Sequence, residues 1–225
     1  MAKNTEIELK LLLSKDDLER LLTLDFMVQA VREGSRKVRH LVSTYYDTQE
    51  LTLKEHGIAY RVRDKGDGSF EATVKTQKQS AGGLSERLEL NLPLAEAQPV
   101  LDGFAALGLG FELSELAPGG VQALFTVDVQ RITYILDYAG AVCELAIDKG
   151  AIRCGEKSDS IDEVEIELLE GEVQALLELK ERIAAAVTLR AEERSKFARG
   201  LALLQGQREL LPLCKKKVKK FTKSC

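Results

Sequence analysis

Alternation dominates the hydrophobic pattern of this chain. In TEIELKL (5–11), Ile7, Leu9 and Leu11 fall on one parity, and Glu6, Glu8 and Lys10 on the other. A strand repeats its side-chain direction every two residues, so the aliphatics share one face and the charges the opposite one. The pattern returns along the chain. EVEIEL sets Glu163, Glu165 and Glu167 against Val164, Ile166 and Leu168, and CELAID sets Glu144 and Asp148 against Cys143, Leu145 and Ile147. LSERLELNL gives Arg87, Glu89 and Asn91 against Leu88, Leu90 and Leu92. AYRVRD places Arg61 and Arg63 either side of Val62, and EATVKTQ places Glu71, Thr73 and Lys75 opposite Ala72 and Val74.

Other elements separate these strands. SKDDLERLLTL predicts a helix, with Ser14 as N-cap, Asp17 three residues on, and Leu18, Leu21 and Leu22 as its apolar stripe. RKVRHLVSTYYDT (36–48) predicts a strand, and QELTLKEH a helical turn ending at Gly57. KGDGS and Gly82-Gly83 mark turns of a three-strand meander. Residues 95–120 predict a helical or irregular crossing closed by PGG. LFTVDVQRITYILDY, AVCELAIDK, AIRCGE and DEVEIELLE predict further strands, and GEVQALLELKERIAAAV and ERSKFARGLALLQ predict helices. About eight strands, mostly in hairpins, predict an α+β fold: an antiparallel barrel with helices packed outside.

One charged row would be a wet surface. Six of them, each backed by an aliphatic face that helices must cover, put the charges inside the barrel. Like charges in a confined low-dielectric space repel by kilocalories, so such an interior needs counter-charges. Acids require cations, clustered Arg and Lys require a polyanion, and a metal–polyphosphate complex supplies both. His40 and His56 stand alone and the cysteines form no ligand cluster, so the donor set is all oxygen, which favours Mg²⁺ or Mn²⁺ over Zn²⁺. Alternate strand positions lie ~6.6 Å apart, spacing that lets carboxylates face successive parts of an extended ligand. Arg61 and Arg63 offer planar forks to phosphate, while Lys10 and Lys75 act as point charges. No GxxxxGK[ST] or GxGxxG device competes.

Composition narrows the class. The chain has 225 residues, 44% hydrophobic and 30% charged, with net charge −4, so disorder is not the default. Six lysines lie in the last eleven residues, KKKVKKFTKSC, which leaves the body before them more acidic than the whole. An acidic body argues against a general nucleic-acid surface. Four cysteines without CxxC spacing, no apolar signal core and no long apolar window predict a cytoplasmic protein with no membrane span. The domain expectation is residues 1–208, followed by a basic, unfolded tail over 209–225.

The ordered set ExExK (Glu6–Lys10), STYYDT (43–48), RVR (61–63), TVK (73–75), ELAIDKG (144–150), EVEIEL and SKFARG (195–200) resembles the CYTH family of triphosphate tunnel metalloenzymes. GGLSERLEL and LFTVDVQRI look most like its bacterial inorganic triphosphatase branch. The resemblance implies an eight-stranded antiparallel tunnel that hydrolyses inorganic triphosphate with a divalent metal. It implies that Glu6, Glu8, Asp148, Glu163, Glu165 and Glu167 hold metal, with Glu89 and Glu144 as further tunnel acids. Lys10, Arg61, Arg63, Lys75, Arg87, Arg131, Lys196 and Arg199 would bind triphosphate. Glu163, Glu165, Glu167 and Lys196 would serve the chemistry, and Lys196 and Arg199 would close the tunnel mouth.

Read alone, SKFARG is a helix N-cap with a solvated basic face. The chain departs from the family in three places. MAKNT lacks the His-Phe pair of the cyclase branch, and no Trp is present to stack on a thiamine ring. Arg131 also shares the parity of Val127 and Val129, which requires a bulge to turn it inward. The alternatives are a nucleoside or thiamine triphosphatase, an adenylyl cyclase, or a polyphosphate-binding module without catalysis.

Overall fold

The structure is a computed structural model that describes residues 5–76, 79–81, 84–189 and 194–206. The Gly82-Gly83 turn and the basic tail expected over 209–225 lie outside the described residues. Nine strand segments run in order: β1 (Thr5–Leu11), β2 (Lys37–Asp47), β3 (Ala59–Asp64), β4 (Phe70–Lys75), β5 (Gln79–Ala81), β6 (Leu84–Leu94), β7 (Gln122–Tyr138), β8 (Ala141–Cys154) and β9 (Lys157–Glu170). Their ladder order is β1-β9-β8-β7-β2-β3-β4-β6-β5, and β1 also pairs with β6. That last pairing closes the ring. The short β5 joins β6 at Glu86–Leu84, on the edge that β4 occupies further along. The nine segments therefore make eight staves, all antiparallel, as the alternation predicts.

Two aliphatic clusters cover the outside. Ile7, Leu9 and Leu11 of β1 meet Leu145, Ile147, Val164 and Ile166 under three helices: α1 (Lys15–Thr23), α2 (Asp25–Ala30) and α5 (Val173–Ala184). Ser14 caps α1, its Oγ accepting the Asp17 amide at 3.0 Å, and Leu18 and Leu21 are the buried stripe. On the other side, Tyr60, Val62, Val74 and Leu90 pack against Phe104 and Leu113 of the 95–120 crossing and Leu53 of α3 (Thr52–Glu55). The Tyr60 hydroxyl ties that crossing down, donating to Val100 O at 2.7 Å and accepting its amide at 2.8 Å. A short helix, α4 (Leu113–Leu116), lies within the crossing.

Four features differ from the sequence reading. α2 was not anticipated. AVCELAIDK and AIRCGE are one strand, because Gly150 does not turn the chain. A Cβ there would lie 2.0 Å from Asp128 O, so glycine lets β8 press against β7 and continue. Nor does a bulge rotate Arg131: the β7–β8 ladder runs unbroken from Thr126 to Tyr138. Instead the sheet changes character along its length. Val127 and Val129 share the inner face with Arg131, and there they form a third cluster with Leu41, Ile152 and Ile161.

The C-terminal helix α6 (196–206) explains this inner aliphatic patch, since its Phe197, Leu201 and Leu204 cover it. Gly200 makes the fit possible, because a Cβ would meet the Phe125 ring at 2.2–2.5 Å. SKFARG is indeed a capped helix start, with the Ala198 amide donating to Ser195 Oγ at 3.1 Å. Its basic face is not solvated, however: Lys196 and Arg199 are only 8% and 7% exposed. The fourth correction is that one.

Candidate functional site

The charged parity of the strands lines a cavity of about 730 Å³ inside the ring. Glu6, Glu8 and Lys10 enter it from β1, Arg61 and Arg63 from β3, Lys75 from β4, and Arg87 and Glu89 from β6. Arg131, Glu144, Glu165, Glu167 and Lys196 complete the predicted set on the wall. Asp148 and Glu163 stand one layer behind, bonded to the wall bases Arg131 and Lys196, and Arg199 lies behind Glu163. Sequence reasoning missed Tyr45, Lys54 of α3, and His56 on the turn between α3 and β3. Tyr45 lies within the STYYDT stretch; the turn carries no pattern that would have exposed it.

One end of the cavity is a lattice of paired charges. Arg131 donates through Nε and Nη2 to the two oxygens of Asp148, both at 2.6 Å, and through Nη2 to Glu165 at 3.0 Å. Lys10 lies 3.2 Å from Glu163 and 3.5 Å from Glu165. Lys196 contacts Asp148, Glu163 and Glu165, while Arg199 binds Asp159 and Glu163. Burial works to raise the Glu165 carboxyl, but Lys196, Lys10 and Arg131 together hold it well below the usual range. Burial likewise works to raise Asp148, and Lys196 and Arg131 depress it.

The acids of the next row are not matched this way. Register sets Glu8 beside Glu167 and Glu167 beside Glu144, so three carboxylates sit side by side on β1, β9 and β8. Arg87 reaches Glu8 at 3.2 Å, and among the described residues no base pairs with Glu167 or Glu144. Burial, with Glu6 and Glu89 adding repulsion, pushes Glu167 up to about 7. Burial, then Glu165 and Glu6, raises Glu8 as well. Across the cavity, Lys75 bridges Glu6 and Glu89 at 2.7 and 2.6 Å, and Arg87 also binds Glu6.

The basic wall has the complementary imbalance. Arg63 donates to Ser43 Oγ at 2.9 Å, and no carboxylate pairs with it among the described residues. Burial, with Arg61 and Arg131 nearby, brings its guanidinium down to about 9. Arg61 is nine-tenths buried, lies 3.8 Å from Glu89, and its Nε–H has no partner. A buried guanidinium N–H left unbonded is costly unless something else accepts from it. The arrangement suits an anion on one wall and a cation on the other. No three acid, His or Cys side chains converge as a preformed metal cage among the described residues. The crowded all-oxygen row still suits a hard divalent cation, which would relieve its repulsion.

No helix among the described residues is long and apolar enough to cross a membrane. The chain is 31% identical to an inorganic triphosphatase of Haemophilus influenzae over 163 residues, which is 72% of this chain and 46% of that protein. It thus spans about half the length of that curated relative. Among solved structures, HpAC1 from Hippeastrum, an adenylyl cyclase candidate with a dominant triphosphatase activity, superposes with TM-score 0.60 at 17% identity. That match covers 88% of this chain and 95% of the other. PH1819 of Pyrococcus horikoshii OT3 gives TM-score 0.53 at 19% identity over 88% and 98%. These likenesses establish the closed tunnel fold. The CYTH domain family matches residues 4–201, a span that takes in every strand and both walls of the cavity, and the chain belongs to that family.

Proposed function

We propose that this protein hydrolyses inorganic triphosphate in a divalent-metal-dependent reaction inside the tunnel. One observation carries the reading: Arg61, buried, and Arg63, half-buried, are forks without carboxylate hydrogen bonds to saturate them, set in the same cavity as a row of under-neutralised carboxylates. A triphosphate with its counter-cation satisfies both. The family relative from Haemophilus influenzae supports the same chemistry.

In this reading, Arg61 and Arg63 grip phosphate oxygens, with Lys10, Lys75, Arg87 and Arg131 neutralising the charge that develops during transfer. Glu6, Glu8, Glu165 and Glu167 would hold Mg²⁺ or Mn²⁺, with Asp148 and Glu163 behind them. When bound, such an ion supplies charge neutralisation and acidifies water. Of the three β9 glutamates, Glu163 and Glu165 are engaged by bases, whereas Glu167 pairs with no base among the described residues and is the one left open to accept a proton.

The lining also favours a substrate without a base or ring. Its phenyl and phenol side chains among the described residues are Tyr45 and Phe197, which stack on each other at 5.5 Å; Tyr45 stacks on Phe125 at 4.9 Å and Phe197 meets it at a tilt at 6.1 Å. Neither presents the open platform that a nucleobase or thiazolium ring requires. A buried thiol at Cys143, outside any disulfide, suits a cytoplasmic setting. A non-catalytic polyphosphate-binding module is the competing reading, favoured by the paired acids around Lys196. The deciding experiment is phosphate release from tripolyphosphate, ATP and thiamine triphosphate, with and without Mg²⁺ or Mn²⁺. Metal-dependent release from tripolyphosphate first among the three is expected; binding without release would favour the module.

A further inference from the structure

Lys196 opens α6, and its ammonium sits among three carboxylate oxygens: Asp148 Oδ2 at 2.9 Å, Glu163 Oε2 at 2.9 Å and Glu165 Oε1 at 2.8 Å. Lys10, Arg131 and Arg199 each touch one or two of these acids, but Lys196 touches all three. Glu163 Oε2 is fully buried and accepts no directed hydrogen bond, although the Lys10 and Lys196 ammonium groups lie 3.2 and 2.9 Å away. Its charge is matched while its lone pairs are unused. These three acids form no open metal cage as they stand, but they close on one amine, and carboxylate oxygens are the donors a hard metal ion uses.

The helix that delivers this amine is fixed by other contacts. Phe197 stacks on Tyr45 and packs at a tilt against Phe125, Gly200 lies against the Phe125 ring, and Arg199 binds Asp159 at 2.8 Å. The flexible four-carbon stem of Lys196 can therefore turn into the cavity it lines without α6 leaving its seat.

We propose that Lys196 is an exchangeable resident cation. It holds Asp148, Glu163 and Glu165 together while the tunnel lacks substrate, and yields its place to a divalent cation when a triphosphate accepts the ammonium. The inference rests on the metal-dependent reading above and adds an order to it: metal alone meets an occupied site, and triphosphate vacates that site. Linkage then requires each ligand to raise the affinity for the other.

The test is a Mn²⁺ titration without phosphate, followed by paramagnetic resonance, on the wild type, Lys196→Met and Lys54→Met. Lys54 lines the same cavity but pairs with none of the three acids among the described residues. Removing the competing charge should tighten Mn²⁺ binding about tenfold in Lys196→Met and leave Lys54→Met at the wild-type value. In the wild type, the nitrogen resonance of the Lys196 ammonium should shift on adding Mg²⁺ only when a non-hydrolysable imidotriphosphate is present. Equal Mn²⁺ affinity in Lys196→Met and wild type, an equal gain in Lys54→Met, or a resonance that moves with Mg²⁺ alone would each overturn the proposal. A wild type that releases no phosphate from tripolyphosphate would instead defeat the triphosphatase reading, and the titration would still decide the role of Lys196.

Discussion

Arg131 and Asp148 face each other across the β7–β8 ladder, and the guanidinium grips both carboxylate oxygens at 2.6 Å. Two parallel bonds of this kind need a planar fork, which lysine lacks. Arg131→Lys should therefore raise the KM for tripolyphosphate about tenfold. Arg131→Ala should also destabilise the protein by roughly 3 kcal/mol, because it removes one partner of a buried pair. Steady-state kinetics and urea unfolding measure the two effects; a stable Arg131→Ala would mean that Lys196 alone suffices for Asp148.

Glu8→Gln separates metal binding from folding. The carboxylate is buried and crowded by Glu165 and Glu6, which makes its ionised form unwelcome without a cation. The amide keeps the shape and removes the charge. Metal-dependent phosphate release is expected to fall at least 100-fold, while the melting temperature of the ligand-free protein stays level or rises. Wild-type turnover in this variant would remove Glu8 from the metal site.

Arg61→Ala and Lys75→Ala should differ in kind. Arg61 has an unbonded Nε–H, so its loss weakens tripolyphosphate binding more, and with it the ligand-induced rise in melting temperature. Lys75 bridges Glu6 and Glu89, so its loss lowers the stability of the free protein more. Thermal shifts with and without tripolyphosphate distinguish the two, and identical behaviour in both variants would place the phosphate site elsewhere.

Gly200→Ala would ordinarily favour a helix by about 1 kcal/mol. Here the added methyl enters the Phe125 ring, so a net loss of roughly 1–3 kcal/mol is expected, with turnover falling as α6 shifts Lys196. Chemical denaturation checks the sign. Phe125→Leu in the same background should recover part of the loss by making room.

Glu167 gives the ligand-free protein a pH signature. Its folded-state pKa is raised to about 7 from 4.5, so between those values the folded state binds the proton more strongly than the unfolded chain. Stability contributed by this group is present at low pH and declines as pH rises from about 4.5 to 7, by roughly 3 kcal/mol. Urea midpoints at pH 5 and pH 7.5 should show that decline in the wild type and a smaller one in Glu167→Gln.

The barrel and most of its wall were legible because a strand has a strict period of two. Glu6, Glu8, Lys10, Arg61, Lys75 and Glu165 needed only that period and the inference that helices cover the aliphatic side. Arg131 shows where the rule stops. Parity assigns residues to a face, but whether the face is wet, charged or apolar depends on what packs there, and α6 covers one end of the inner face with Phe197 and Leu201. The burial of Lys196 and Arg199 was hidden for the same reason, since only the folded neighbours Asp148, Glu163 and Asp159 show that a basic helix face has partners. Gly150 looked like punctuation because its reason for being glycine, the backbone of β7, is distant in sequence.

The pairing of β1 with both β6 and β9 leaves the ring no seam. A clamp opens by rotating two halves apart, but a hoop of continuous ladders widens only by breaking backbone bonds along a whole stave. Strand number and tilt then fix the bore. Anything that enters or leaves the cavity therefore travels along the axis and passes an end. In the triphosphatase reading proposed above, a phosphate chain would thread in from an end and its fragments would leave by one.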